Sequence, residues 1–254
     1  MSNITYYKAD YVSSNLHVVE VLPQDFKIVL NDSAKKTAAT KNYCNAGFFA
    51  NFKETTNGKA EYFTLPVGHL LCDYDADSEW TKFYCDARGK LKDKTYSDGT
   101  KYTFDTSTWS YDNPLYQKSV STLLVNSNKA VIKEVVSIPA GFTYAISGIP
   151  IMRNGVDCSF NNFVKTQGWT GSPLYGTWHT FVGLKQNSKV IYVIGMKTYT
   201  YNMVATSEAY KKFNKLGLSD VIKLDGGGSF HMNVDGKVVA STVGNRRINS
   251  IICF

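Results

Sequence analysis

Near the end of the chain stands the segment Leu224-Asp225-Gly226-Gly227-Gly228-Ser229, directly after an apolar run, Val221 to Leu224, that we predict as a strand. Three successive glycines permit backbone conformations that other residues rarely adopt, and they let a ligand approach the main chain without a Cβ atom in the way. Successive N–H groups in such a turn can form a concavity that binds anions. Asp225 adds a base or nucleophile and Ser229 a hydroxyl donor, so we interpret the segment as a functional site rather than a plain turn. It is not a P-loop, because no lysine follows the glycines at the Walker spacing.

The residues before this segment predict the one convincing helix, over Thr206 to Leu216. Thr206 or Ser207 is the expected N-cap and Glu208 is expected in the first turn, while lysines crowd the last turn and Gly217 stops the helix. A strand before this helix and another after it predict a strand–helix–strand crossover.

Short apolar runs separated by turn signals recur along the rest of the chain and predict strands. The predicted strands lie at Val18 to Leu22, Phe26 to Leu30, Gly148 to Met152, Thr180 to Leu184, Val190 to Gly195 and Ile248 to Phe254, with a further hairpin over His231 to Ala240. One strand enters an Asn154-Gly155 turn, and the His231 hairpin turns on Asp235-Gly236.

The first half of the chain also carries hairpin signals and a second helix signal. Turn pairs at Asn57-Gly58, Arg88-Gly89 and Asp98-Gly99 predict hairpins, and Ser33 is expected to cap a short helix over 34–41. One long helix among many strands predicts an α+β fold of β-rich mixed sheets with few helices. No repeat, low-complexity segment or linker interrupts the chain, so we expect a single domain over residues 1–254.

Composition bounds the class of protein. Of the 254 residues, 43% are hydrophobic and 19% charged, which is typical of a globular protein and excludes a disordered one. Aromatic residues reach 14%, an excess that favours strands. The net charge is +7, but the lysines are scattered and form no basic arm, so we expect no specific nucleic-acid partner.

Cysteine usage and the first residues bear on location. Five cysteines occur, an odd number, and none forms a C-x-x-C pair, which fits reduced thiols in a reducing compartment. No apolar signal-peptide core and no membrane span are visible. We therefore expect a protein of the cytoplasm or of a virus particle, without a membrane partner.

The acidic cluster of the first half does not predict a metal site. Asp73, Asp75 and Asp77 alternate along the chain, but the glycine and distal glutamate of an EF-hand are missing at the required offsets. We interpret the cluster as a solvated loop, with a calcium site as the weaker alternative, and we expect no metal and no cofactor.

Several motifs together resemble the phosphodiester glycosidase family. The Asp225 segment, followed by a hairpin with Asp235-Gly236-Lys237 and a terminal apolar strand, is similar to the end of that family's sequences. Upstream, residues 45–49 are similar to the family's N-G-G-F-F, residues 65–68 resemble its P-V-G, and residues 147–155 resemble its S-G-x-P-x-L-x-x-G. The matches keep the family's order from about residue 40 to the last residue.

The resemblance implies a hydrolase that cleaves the bond between a sugar's anomeric carbon and a phosphodiester, in a sugar-1-phosphodiester or a nucleotide-linked sugar. In this reading Asp225 is the base or nucleophile. The family's R-T-A-I-G is replaced here by a sequence that begins with His179, and histidine lacks the bidentate fork of a guanidinium. His179 would hold the phosphate side, with added charge from Arg153, Arg246 or Arg247.

The remaining candidate residues also follow from the resemblance. Glu208 is a third candidate for catalysis, and the substrate-binding candidates are Asn45, Ser147, Gly226, Gly227, Gly228 and Ser229. The expected partner is a small-molecule or glycan phosphodiester.

Two alternatives remain open at this stage. The histidine in place of arginine is compatible with a non-catalytic protein that sequesters a nucleotide or sugar phosphate. The β-rich, tyrosine-rich first half is compatible with a module of a virus particle or surface assembly that engages glycopolymers, and an oligomer in solution would favour it. Sequence does not give the sugar, the stereochemical outcome or the oligomeric state.

Overall fold

A computed structural model describes residues 4–30, 41–56, 59–74, 94–95, 101–102, 119–158, 167, 177–198, 203–242, 248 and 250–254. Three sheets and two short ribbons account for the strands of this part of the chain. The helix expected over 34–41, the Arg88-Gly89 turn, the alternating acids at Asp75 and Asp77, and both Arg246 and Arg247 lie outside the described residues.

The largest sheet has seven strands and carries the segment around Asp225. In spatial order its strands are β1 (Thr5–Lys8), β2 (Leu16–Val21), β17 (Ile191–Lys197), β16 (Trp178–Leu184), β18 (Asp220–Gly226), β14 (Ile149–Arg153) and β15 (Val156–Asp157). The runs that form β2, β16, β17 and β18 are buried on both faces, which explains their nearly continuous apolar character.

A six-stranded sheet packs against one face of this sheet. Its order is β20 (Lys237–Ser241), β19 (His231–Val234), β4 (Tyr43–Asn45), β21 (Ser250–Cys253), β3 (Lys27–Leu30) and β8 (Asp73–Tyr74). The pair β3–β8 is parallel and the other pairs are antiparallel, so this sheet is mixed.

A four-stranded sheet completes the core. Its order is β12 (Lys129–Val135), β11 (Val120–Asn126), β13 (Tyr144–Ser147) and β7 (Leu70–Leu71). The ribbons are β5 (Phe49–Thr56) with β6 (Lys59–Pro66), and β9 (Lys94–Thr95) with β10 (Lys101–Tyr102). The two strands of each ribbon pair antiparallel and flank a predicted turn pair, whereas the turn residues Asn57-Gly58 and Asp98-Gly99 lie outside the described residues.

All three sheets contribute to one hydrophobic core. Val182 and Ile222 come from the seven-stranded sheet, Ile28 and Met232 from the six-stranded sheet, and Ile146 from the four-stranded sheet. The β-rich α+β architecture predicted from sequence is therefore confirmed.

The opposite face of the seven-stranded sheet is covered by helix α1 (Met203–Lys215). Ala209, Phe213 and Leu216 pack there against Phe181 and Val221. Strands β17 and β18 both pair antiparallel with β16, so they run parallel to each other and α1 connects them. The predicted crossover is confirmed, and its geometry places the start of α1 at the end of the sheet where β18 stops.

The predicted start of the helix is wrong. Helix α1 begins at Met203, three residues before Thr206, and its first turn contains no acidic residue, so neither Thr206 nor Ser207 is the N-cap and Glu208 lies beyond the first turn. Most helical stability in proteins comes from packing an apolar face, so a local capping signal does not by itself decide where a helix begins. Its end is as predicted: Gly217 has φ +73, and the N–H of Leu218 donates to the carbonyl of Phe213.

The predicted hairpin turns also form. Asn154 and Gly155 have φ of 49 and 77, and Asp235 and Gly236 have φ of 52 and 77. Both turns show the positive φ values that favour asparagine, aspartate and glycine in two-residue hairpins. Within the described residues no helix is long and apolar enough to cross a membrane.

Candidate active site

The glycines after Asp225 are required by their surroundings. Strand β18 ends at Gly226 and a single 3-10 turn follows over Gly227–Ser229. A Cβ atom on Gly226 would collide with Nδ1 of His179 and lie 2.6 Å from the carbonyl oxygen of Trp178. Gly227 has φ +62, a region that side chains disfavour. The turn therefore brings bare backbone against the start of β16.

Thr242 fastens the far side of this turn. Its hydroxyl donates to the carbonyl of Gly227 at 2.6 Å, and its backbone N–H donates to the carbonyl of Phe230 at 3.1 Å. Phe230 in turn donates to the carbonyl of Gly227 at 3.1 Å. Thr242 was missed by sequence reasoning, because nothing in the sequence links a threonine after β20 to the glycine turn.

His179 lies directly against the glycine turn. It pairs in register with Gly226 and is 2% exposed, and its ring packs edge-on against Phe181 with centroids 6.4 Å apart. The sequence placed His179 and Asp225 in one site, and the structure brings these two segments together at the same end of the sheet.

Asn45 joins four strands at this end of the sheet. Its amide nitrogen donates to the carbonyl of Asp225 at 3.0 Å. Its amide oxygen accepts from the hydroxyl of Thr180 at 2.7 Å and from the N–H of His231 at 3.2 Å. Ala46, next along the chain, accepts from the N–H of Asp225 at 2.9 Å. Through these bonds the six-stranded sheet holds the backbone of Asp225 in place, so the side chain of Asn45 supports Asp225.

Lys223 is a buried cation two residues before Asp225, and sequence reasoning missed it. The residue is 2% exposed, its Nζ donates to the carbonyl of Leu224 at 2.8 Å, and Nζ lies 4.3 Å from the ring centroid of Phe48. Burial lowers the pKa of Lys223 to about 7, while the charge of Asp225 acts in the opposite direction. The available signal was a single lysine inside an otherwise apolar strand.

Ser229 ends the glycine turn with a buried hydroxyl. It is 2% exposed, and within the described part of the chain its Oγ has no hydrogen-bond partner. A buried hydroxyl without a partner costs about 1–3 kcal/mol, which makes it the kind of donor that a bound ligand can satisfy.

Three further predicted site residues lie on other elements of the fold: Ser147 on β13, Arg153 on β14 and Glu208 on α1. The hydroxyl of Ser147 accepts from the N–H of His69 at 2.8 Å and shares a 3.0 Å hydrogen bond with Thr122, so it ties strands of the four-stranded sheet together. Arg153 is paired with Glu134 at 3.1 Å. Glu208 is exposed on helix α1.

The position of Arg153 follows from the strand register. It lies at the end of β14 that faces the start of β18, because Met152 pairs with Val221. At roughly 3.3 Å per residue, the length of β18 from Asp220 to Asp225 separates the two ends by about 16 Å. Arg153 is therefore at the opposite end of the sheet from Asp225, and charge for a phosphate at the glycine turn must come from other residues.

A family model described as phosphodiester glycosidase matches residues 42–254, which is most of the chain. The chain belongs to the phosphodiester glycosidase family. The matched range includes both strands that form the Asp225 site, as well as Asn45 and the whole of α1.

Solved structures support the family fold at low identity. The chain is similar to the zebrafish N-acetylglucosamine-1-phosphodiester alpha-N-acetylglucosaminidase catalytic domain auto-inhibited by its pro-peptide, with 15% identity, a TM-score of 0.56, and coverage of 100% of this chain and 82% of that one. It is also similar to a hypothetical protein from Synechocystis, with 12% identity, a TM-score of 0.50, and coverage of 98% and 61% respectively. No curated protein matches the chain. Family and fold together support a glycosidase-type hydrolase.

Proposed function

We propose that this protein hydrolyses the bond between the anomeric carbon of a sugar and an oxygen of a phosphodiester, in a sugar-1-phosphodiester or a nucleotide-linked sugar. One observation carries the proposal: the Asp225 carboxylate-bearing segment, a bare glycine backbone and the imidazole of His179 converge at one end of β18. The zebrafish enzyme of similar fold is named for the same bond, which adds support from the family.

In the proposed reaction Asp225 acts at the anomeric carbon, as nucleophile or as the base that activates water. A phosphate leaving group departs readily, so the reaction needs less general-acid help than an ordinary glycoside does. What the protein must supply is stabilisation of the positive charge that develops on the sugar, and a carboxylate does this directly. The bonds from Asn45 and Ala46 hold the Asp225 backbone in place for that task.

The departing phosphate is proposed to lie on the glycine side of the site. Gly226 and Gly227 allow close approach of an anion, and the buried hydroxyl of Ser229 is available as a donor. His179 packs against Gly226 and can donate a hydrogen bond to a phosphate oxygen. Arg246 or Arg247 stays our proposed source of further positive charge.

The other predicted residues receive smaller roles. Asn45 supports Asp225 rather than the ligand, because its amide already makes three hydrogen bonds to the protein. We assign no substrate contact to Arg153 or Glu208. A cytoplasmic or virus-particle location, and a small-molecule or glycan substrate, remain predictions.

Turnover of a panel of sugar-1-phosphodiesters and nucleotide-linked sugars tests the proposal. Wild type, Asp225→Asn and a control variant, Asp220→Asn, would be compared, with products followed by mass spectrometry. Release of free sugar by wild type and by Asp220→Asn, but not by Asp225→Asn, is the expected result.

The replacement of the family's arginine by His179 specifically favours a second candidate, a protein that binds a nucleotide or sugar phosphate without cleaving it. Ligand binding that survives Asp225→Asn, with no turnover across the panel, would establish that candidate and overturn the hydrolase.

A further inference from the structure

Lys223 is unusual among the buried residues. Within the described part of the chain it is the only lysine, arginine, aspartate or glutamate classed as buried. Taking an ammonium group out of water is costly unless other groups compensate. A hydrophobic side chain would fill the same position without that cost, so the lysine calls for a reason beyond packing.

The contacts of the ammonium group point toward Asp225. Its acceptor at 2.8 Å is the carbonyl of Leu224, which belongs to the peptide group that joins Leu224 to Asp225. The charge therefore lies within one peptide group of the Asp225 backbone. The ring of Phe48, whose centroid is 4.3 Å from Nζ, also stabilises the cation.

Strand β18 carries two acidic residues, Asp220 at its start and Asp225 near its end. Of these, Asp225 interacts electrostatically with Lys223 and favours its charged form. Strand β16 contributes Phe181 in register and His179 two residues away, and β14 contributes Ile149 in register. Among the described residues, the carboxylate of Asp225 is thus the anion that influences the charge of the buried ammonium group.

We propose that Lys223 is a positioning residue of the active site, whose ammonium group keeps the Asp225 carboxylate ionised and directed at the substrate. The proposal rests on the function proposed above. A neighbouring cation favours the ionised form of a carboxylate, and the effect is strong where water is excluded.

Lys185 offers a matched control. Its Nζ also lies over an aromatic ring, 4.8 Å from the centroid of Tyr192, but it follows the end of β16 that is remote from His179. Lys223→Met and Lys185→Met each replace a lysine beside an aromatic ring with an uncharged side chain of similar length, the first within β18 and the second after the end of β16.

The activity test is the pH profile of kcat/KM on whichever panel substrate is turned over. Lys223→Met is expected to lower kcat/KM roughly 10- to 100-fold, the range seen when a group that orients a reacting residue is removed. It should move the acid limb upward by about one pH unit or more. Wild type should also lose activity above about pH 7 as Lys223 loses its proton, and Lys223→Met should lack that limb. Lys185→Met should match wild type.

His179 needs its own control, because histidine side chains ordinarily change charge between about pH 5 and 8. The variant His179→Gln should keep the basic limb that Lys223 produces. A limb that disappears with His179→Gln and persists with Lys223→Met would overturn the proposal. A wild-type value of kcat/KM with an unchanged pH profile in Lys223→Met would also overturn the proposal.

A direct titration separates this proposal from the proposed function. Lysine labelled with ¹³C at Cε reports the protonation of Lys223 by NMR in the full chain, without any substrate. We expect a midpoint near 7 in wild type and a lower midpoint in Asp225→Asn, since the carboxylate favours the charged ammonium. An unchanged midpoint in Asp225→Asn would refute the coupling even if the enzyme is active, and a lowered midpoint would support it even if no panel substrate is cleaved.

Discussion

Strand β18 carries an aspartate near each end, and the two differ in what surrounds them. Asp220 accepts from the hydroxyl of Ser219 at 2.8 Å and from the N–H of Asn154 at 3.1 Å, so its carboxylate serves the adjacent hairpin turn. Asp225 has its backbone held by the neighbouring sheet, with buried Lys223 close by. The same residue type on the same strand thus becomes a turn constituent at one end and a candidate catalyst at the other, and buried polar neighbours make the difference.

The largest expected effect comes from neutralising the two aspartates separately. Asp225→Asn should reduce kcat/KM by roughly 10³-fold, because the reaction loses its base or nucleophile. Asp220→Asn should leave kcat/KM within about threefold of wild type and lower the free energy of unfolding by about 1 kcal/mol. Steady-state kinetics and urea unfolding of both variants measure this contrast. Equal losses of kcat/KM in the two variants would show that Asp225 and Asp220 do not differ in their contribution to activity.

Adding a methyl group at each end of the sheet tests the packing. Gly226→Ala should cost about 2–4 kcal/mol of unfolding free energy, since the new Cβ meets the Trp178 carbonyl at 2.6 Å and backbone cannot yield cheaply. Gly155 has φ +77, and a Cβ added there would have no atom within 4 Å. Gly155→Ala is therefore expected to lower the free energy of unfolding only through backbone strain, by about 1 kcal/mol. Thermal unfolding measures both. Similar melting temperatures for the two variants would show that Gly226 does not lie as close to His179 and Trp178 as the structure indicates.

A further expected effect is a pH-dependent gain in stability. Burial holds the pKa of Lys223 at about 7, below its value in the unfolded chain, so between about pH 7 and 10 the unfolded chain binds more protons and wild-type stability rises with pH. Lys223→Met removes the cost of burying the charge and should stabilise the protein by up to about 5 kcal/mol at or below pH 7.

That gain should shrink as the pH approaches 10, whereas Lys185→Met should show no such trend. Urea unfolding of the two variants at a series of pH values is the measurement. If the free energies of unfolding of Lys223→Met and wild type differed by the same amount from pH 6 to 10, the buried lysine would not be the source of the pH dependence.

Much of the fold could be predicted because its signals are local. Turns at Asn154-Gly155 and Asp235-Gly236 need positive φ, and they identified the hairpins β14–β15 and β19–β20. Apolar runs identified β2, β16, β17 and β18. The start of α1 could not be predicted from its capping residues, because a capping signal is a local preference and most helical stability comes from packing.

The candidate site was predictable only where a motif spans consecutive residues. The three consecutive glycines after Asp225 identified that segment as a candidate site. The order of the family motifs identified Asn45 and His179. Lys223 and Thr242 were missed because each acts through a contact that sequence does not encode: a carbonyl and a ring for the lysine, a turn carbonyl for the threonine. Arg153 was misplaced for the same reason, since only the register of β14 against β18 puts it at the far end.

The proposed reaction breaks the bond at the anomeric carbon, between that carbon and the phosphodiester oxygen. Hydrolysis in water enriched in ¹⁸O, with the masses of the sugar and phosphate products measured by mass spectrometry, shows which bond breaks. We expect the label to enter the released sugar and to be absent from the phosphate product, and we expect Asp225→Asn to abolish this incorporation. Label in the phosphate product would mean that the P–O bond is cleaved, and the site would then be a phosphodiesterase rather than a glycosidase.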